Sequence, residues 1–230
     1  MLAYCITIAG NKVSEQGFDR LVKSSEHVGN DFSIKKSNAV TPVIVDTVMT
    51  TNKLRWNYPW EGQVNDFASG LVKSAYTTVN PKARMACACS HYELWNECVA
   101  THTTMLILEH DALFTKKLDF DPHETNATII GINNPLGATR RAGVYGDAIR
   151  KSELKFQPVP QIDEITVPQG LAGNSAYIIK PAGAKKLLEL VETYGLWPND
   201  AIMCRQLIPK LAVTKTFYTT VQGLESTTSL

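Results

Sequence analysis

Met105-Leu106-Ile107-Leu108-Glu109-His110-Asp111-Ala112-Leu113-Phe114 sets the reading of the whole chain. Four large apolar residues in a row predict a buried strand, bounded at its end by polar residues. The run breaks into Glu109-His110-Asp111. In an extended chain alternate side chains share a face, so Glu109 and Asp111 are expected on one side and His110 on the other. Two carboxylates at the C-terminal end of a central strand lie where open α/β sheets hold their ligands. They suit a hard divalent cation, which prefers oxygen ligands and often shares them with substrate phosphates. Acidic pairs at this spacing are common, since 22 acidic residues in 230 give roughly two pairs by chance. The chain has two, Glu109/Asp111 and Asp119/Asp121, and only the first follows an apolar run. The plain alternative is a strand that ends in solvated acids.

Composition narrows the function classes. A length of 230 residues allows one large or two small domains with an ample core. Hydrophobic content of 44%, charged content of 20% and a formal net charge of +1 describe an ordinary globular chain. Nothing in that charge calls for a nucleic-acid or membrane partner. The cysteines Cys5, Cys87, Cys89, Cys98 and Cys204 are odd in number and scattered, and Cys87-x-Cys89 lacks a second pair or a nearby histidine in zinc-site order. They read as buried free thiols of a reducing compartment. No apolar run approaches the roughly 20 residues that span a bilayer, and no basic stretch followed by an apolar one marks a signal peptide. The expected setting is cytoplasmic.

Outward from the central stretch, a strand is expected over Leu2–Ile8 and ends in the Ala9-Gly10-Asn11 turn. Ser14 is expected to cap a helix to about His27. Phe32–Ile34 and Val43–Val45 read as short strands, giving a βαβ start. Trp56, Tyr58 and Trp60 alternate around Pro59, either as a patch closing the core or as a platform for a sugar or base. Asp66–Ala75 reads as a short helix. Pro81 opens a clear helix to about Ala100. Ala127–Ile132 is another buried strand. From Pro135 to Pro168 the periodicity is poor, and a segment of that length predicts a mobile loop over about 133–170 that acts as a lid; Val144-Tyr145 and Glu164–Val167 read as short strands within it. Ser175–Ile179 is a strand and Pro181–Val191 a helix that ends at Gly195. Asp200 is placed to cap a helix over Ala201–Leu207, and Leu211–Tyr218 reads as a last strand before a polar tail. One domain over 1–230 is the economical organisation.

Several separated blocks now line up. Ala86-Cys87-Ala88-Cys89-Ser90-His91-Tyr92-Glu93-Leu94-Trp95 is similar to a helix of the form G-C-x-x-S-H-x-x-x-W. Leu106–Asp111 is similar to an apolar strand ending in E-D-D. Gly173–Ile179, Pro181–Leu188 and Pro198-Asn199-Asp200 follow in the order G-T-x-A-Y-h-I, G-A-x-K-L-L and P-h-D. In this order and spacing, over roughly Pro81–Asp200, the chain resembles glycosyltransferase family 25, the lipooligosaccharide galactosyltransferase type. Val221-Gln222 is only loosely similar. The chain departs from that pattern in having His110 as the middle acid and no histidine after His123.

The resemblance implies a GT-A-like α/β nucleotide-binding sandwich with a mostly parallel central sheet flanked by helices. It implies an inverting glycosyltransferase that moves a sugar, UDP-hexose being the expected donor, to a hydroxyl of a glycan or other acceptor. Asp111 and Glu109 are the candidate ligands of a Mn²⁺ or Mg²⁺ that offsets charge on the leaving diphosphate. Ile8, Gly10, Arg84, Ser90, His91, Glu109 and His110 are candidate donor-binding residues, with a packed structural role open for His91. Asn174, Ser175 and Asp200 are the acceptor-side candidates, and Asp200 is the candidate general base, with a plain helix cap as its alternative. A sugar nucleotidyltransferase and a nucleotide-sugar-binding module without turnover are the competing readings. Arg140, Arg141, Arg150, Lys151 and Lys155 could favour nucleic acid but read better as a solvated face. No membrane span is expected; peripheral association through a lipid-linked acceptor is compatible with this.

Overall fold

The computed structural model describes residues 1–136 and 141–224. The chain opens with strand β1 (Leu2–Thr7) and helix α1 (Lys12–His27). Asn11 caps α1, accepting from the Ser14 amide at 3.0 Å. The hydroxyl of Ser14, expected to be the cap, instead accepts from the Ile8 amide at 2.8 Å and ties the helix to the end of β1. Strand β2 (Ile34–Asn38) follows, but the strand expected over Val43–Val45 is a turn entering α2 (Val45–Thr51). The helix expected over Asp66–Ala75 is a hairpin of β3 (Gln63–Asp66) and β4 (Leu71–Ser74), turned at Gly70 in the left-handed region. The inward alternation of β4 is disguised because one inward residue is Lys73. Its ammonium is paired with Asp66 at 3.1 Å and lies over the Trp197 ring.

Helix α3 (Pro81–Ala100) is capped by Asn80 and starts with proline, as its sequence requires. It leads into β5 (Met105–Glu109) and β6 (Ala112–Phe114), then β7 (Ile129–Gly131). Segment 133–170 is not uniformly loop: it holds α4 (Ala142–Lys151) and β8 (Phe156–Pro158). Val144-Tyr145 is therefore helical, not extended, and Glu164–Val167 is a turn. The buried positions of α4 are Ala142, Tyr145, Gly146 and Ile149, a helical spacing masked in the sequence because small residues fill half of it. Arg140 lies outside the described residues. Arg141, Arg150 and Lys155 are committed to surface ion pairs with Asp163, Asp147 and Glu124.

Strand β9 (Ala176–Ile179) and helix α5 (Pro181–Tyr194) match expectation, with Gly195 ending the helix at φ +82°. The next helix, α6 (Asn199–Ile202), is shorter than predicted, and Asp200 lies inside its first turn instead of capping it. The last expected strand, Leu211–Tyr218, is shortened to β10 (Leu211–Thr214), and the stretch read as a polar tail holds a further strand, β11 (Thr219–Val221), which pairs with β6.

The central sheet has the order β2-β1-β5-β9-β7-β10-β8. β2, β1, β5, β7 and β10 run one way, and β9 and β8 run against them. Both faces of the sheet are covered, which explains the unbroken apolar run of β5. Met105 and Ile107 pack with α3 residues such as Leu94 and Trp95, while Leu106 and Leu108 pack with Leu21 of α1 and Phe114. Trp56 stacks on Trp60 at 4.9 Å, and Tyr58 is buried against Trp197, so this aromatic group closes the core.

Gly183 marks where α5 meets β7. A Cβ there would stand 2.5 Å from the Thr128 carbonyl oxygen and 2.8 Å from Ile129. Backbone cannot yield as a flexible side chain can, so overpacking of about 1–3 kcal/mol outweighs the roughly 1 kcal/mol of helix propensity gained. Gly183→Ala is expected to lower Tm by about 2–6 °C in calorimetric scans; an unchanged or raised Tm would show that α5 can shift.

Candidate active site

β1 and β5 are parallel neighbours and β9 is antiparallel to β5, so the ends of the first two and the start of the third meet at one sheet edge. A cleft of about 790 Å³ opens there. Of the expected donor-side residues it is lined by Ile8, Arg84, Ser90, His91, Glu109 and His110, and Asp111, Asn174, Ser175 and Asp200 line it as well. Gly10 does not line it: it sits at an exposed turn with φ +74°, its amide donating to Glu15, and the neighbouring Asn11 reaches the cleft instead. Trp56 and Trp60 are also absent from its walls.

The acidic pair departs from the extended geometry expected for it. β5 stops at Glu109, and His110 and Asp111 form a turn into β6; all three residues line one cleft. The Glu109 amide donates to the Ser175 carbonyl at 2.8 Å, which locks the turn to the start of β9. Gln222 holds it from the other side. Its backbone amide donates to the Asp111 carbonyl at 2.7 Å, and its Nε2 donates to the carbonyls of Gly17, His110 and Ala112. Gly17 of α1 approaches the His110 carbonyl so closely that a Cβ would lie 2.5 Å from it.

Burial, and then the charge of Glu109, push the Asp111 carboxyl up to about 7. Burial lowers the basicity of His110. Asp111 Oδ1, both polar atoms of the Asn174 amide and Ser175 Oγ are buried with no hydrogen-bond partner among the described residues. Orphaned polar atoms are costly in a folded core and point to a bound group that satisfies them. Oxygen-rich and anionic, this part of the cleft fits a hard divalent cation: Asp111 and Glu109 would hold it.

Glu109 is braced by a chain of buried groups. Trp95 Nε1 can only donate, and it does so to the Tyr177 oxygen at 2.9 Å. The Tyr177 hydroxyl lies 2.9 Å from His91 Nδ1, and giving its own proton there pairs both groups. In the neutral ring this places the remaining proton on Nε2, which donates to Glu109 Oε1 at 3.0 Å. One carboxylate oxygen is held and the other remains for a ligand. Thus His91 combines both roles open to it, a packed core group and a wall of the cleft.

The rest of α3 contributes from the same face. Ser90 Oγ accepts from the Val40 amide and fixes the loop after β2. Arg84 lies over the Tyr76 ring and donates to Thr78 Oγ1 and the Thr77 carbonyl. Burial raises the Asp200 carboxyl above the usual range and Glu109 adds to this, while Arg84 opposes it. Asn199, Cys87 and Tyr177 were not foreseen as site residues, although all three stand inside the quoted sequence blocks. Gln222 belongs to the loosely similar Val221-Gln222 pair; no local signal marks it.

An acid-lined cleft at the strand ends of a mostly parallel α/β sheet is the class that fold and site define. The sequence model for glycosyltransferase family 25 (LPS biosynthesis protein) matches residues 44–203, and the chain belongs to that family. It is accordingly a glycosyltransferase built on a mostly parallel α/β sheet. No curated protein matches it. Among solved structures, it is similar to the galactosyltransferase LgtC in complex with donor and acceptor sugar analogues, at 12% identity and a TM-score of 0.43 over 93% of this chain and 73% of that one. It is also similar to the apo form of mouse xyloside xylosyltransferase 1, at 11% identity and a TM-score of 0.39 over 91% and 82% of the respective chains. No helix among the described residues is long and apolar enough to cross a membrane.

Two substitutions test the electrostatics and the brace. The folded Asp111 carboxyl titrates near 7, against about 3.9 when unfolded, so the native state holds more protons between these values and loses stability as pH rises through them. In chelator, Asp111→Asn should therefore raise Tm by several degrees at about pH 8, a gain that fades toward about pH 4. A gain independent of pH would show that the ionised carboxylate is not strained. Tyr177→Phe strands Trp95 Nε1 and frees His91 Nδ1, at a cost of about 1–3 kcal/mol. It should lower Tm by several degrees and give a mixture of His91 tautomers in ¹⁵N-histidine spectra; a single unchanged Nε2–H form would mean that Tyr177 does not set the proton.

Proposed function

We propose that this glycosyltransferase is inverting and metal-dependent, moving a hexose from a UDP-sugar to a hydroxyl of a carbohydrate acceptor. One observation carries the reading: the paired acids Glu109 and Asp111 share a single cleft with a third, half-buried carboxylate, Asp200, contributed by a different element. A Mn²⁺ or Mg²⁺ held by Asp111 and Glu109 would supply positive charge for the departing diphosphate. Arg84, on the cleft wall, is suited to the diphosphate as well. Asn174 and Ser175, whose polar atoms have no partner among the described residues, are suited to sugar hydroxyls.

Inversion needs the acceptor oxygen to reach the anomeric carbon from the face opposite the leaving group. As that carbon–oxygen bond forms and the bond to the diphosphate breaks, Asp200 takes the hydroxyl proton. Its burial makes it a stronger base than an exposed aspartate, which favours this role at neutral pH. The competing nucleotidyltransferase reading has no comparable use for Asp200.

Calorimetry with UDP and turnover assays with UDP-hexoses test the reading together. UDP affinity should require Mn²⁺ or Mg²⁺ and be lost in Asp111→Asn. Asp200→Asn should slow transfer by about 10²–10⁴-fold while UDP affinity stays within about twofold. Equal UDP affinity in chelator would sink the metal role, and normal transfer by Asp200→Asn would sink the base.

A further inference from the structure

We propose that Cys87, His91 and Glu109 form a second metal site, one that takes a borderline-soft cation such as Zn²⁺ in place of the hard cation suited to the Asp111 side. Cys87 and His91 stand one turn apart on α3 and share a face, and Glu109 meets them from the end of β5. The three ligand atoms lie within 4.8 Å of one another, and His91 Nε2 and Glu109 Oε1 are already 3.0 Å apart. Zinc bonds of about 2.0–2.3 Å in tetrahedral array set ligand atoms about 3.6 Å apart. Closing the set round an ion therefore needs side-chain adjustments on the order of an ångström. All three residues line the cleft, so a fourth position would face it.

The chemistry of the donor set separates this site from its neighbour. Mg²⁺ and Mn²⁺ favour carboxylate and water oxygens, whereas Zn²⁺ and Co²⁺ accept thiolate and imidazole. Burial, then the charges of Glu109 and Asp200, hold the Cys87 thiol well above its ordinary value, so the metal must displace its proton, while the polar contact to Asn199 Oδ1 at 3.8 Å is weak. The ion displaces one proton, from Cys87 Sγ to solvent. His91 changes tautomer: Nε2 gives up its proton and binds the metal, Nδ1 takes one up and donates to the Tyr177 oxygen, and the Tyr177 hydroxyl proton turns away from the ring. A dication with one thiolate, one carboxylate and a neutral imidazole is uncharged, which suits a half-buried position. Because Glu109 serves both sites, soft and hard cations exclude one another. The site depends on side-chain geometry and does not rest on the proposed sugar transfer.

Co²⁺ added to the reduced protein is the test. Wild-type protein should develop a thiolate-to-cobalt charge-transfer band and tetrahedral visible bands, both erased by equimolar Zn²⁺. Cys87→Ser, nearly isosteric, should lose the charge-transfer band, while Asp111→Asn should keep it. Independently, ¹⁵N-histidine spectra of the wild-type protein should show His91 exchange its Nε2–H for Nδ1–H on adding Zn²⁺. No thiolate band, a band that survives Cys87→Ser (the other four cysteines are buried), or a His91 that keeps Nε2–H at saturating Zn²⁺ would each overturn the proposal.

Discussion

The antiparallel pairing of β5 with β9 is the constraint on which the site depends. Met105 to Leu108 pair with Ile179 to Ala176, and all of these residues are buried. Since the strands run in opposite directions, the residues leaving β5 meet the residues entering β9. That alone sets Glu109, His110 and Asp111 beside Gly173, Asn174 and Ser175. A parallel neighbour would have brought its far end to this edge. The pairing also sets Tyr177 opposite Ile107, on the face covered by α3, from which its hydroxyl reaches His91 and Trp95. Strand register thus determines how Glu109 is braced.

Helix α3 plays the matching part on the other side. Its buried residues fall all round the helix and not along one stripe, because it is packed between the sheet, α2 and α5. Small residues, Ala86, Ala88 and Cys89, let it approach the sheet closely. A helix so enclosed holds its side chains in single rotamers, and precise placement of functional groups needs such support. Arg84, Cys87, Ser90 and His91 gain their fixed positions in this way.

Charge explains why the cleft is suited to ligands and poor at standing alone. Glu109, Asp111 and Asp200 share it with Arg84 as the facing cation on its wall. Charges of like sign in a low-dielectric setting repel far more strongly than in water, and burial first, with the charge of Glu109 adding to it, raises the titration of Asp111. A diphosphate entering such a cleft needs further positive charge. The unpartnered atoms of Asp111, Asn174 and Ser175 express the same deficit in hydrogen bonds.

Much of this was legible in the residues themselves. Apolar runs located β1, β5, β7 and β9, and proline at the first turn marked α3 and α5, because these signals act over a few residues of chain. Misreadings arose where local signals were masked: Lys73 filling an inward strand position, glycine filling an inward helix position in α4, and the Glu109–Asp111 run bending into a turn where extended alternation was expected. The motif blocks named the acids but not their surroundings. Gln222, 205 residues from Gly17 along the chain, clamps the same turn that Gly17 packs against. The sequence by itself determined which segments form strands and helices and which residue types stand at their ends. Only the tertiary structure decided which polar groups meet, because those meetings depend on strand order and packing between residues far apart in the chain, and no periodicity encodes them.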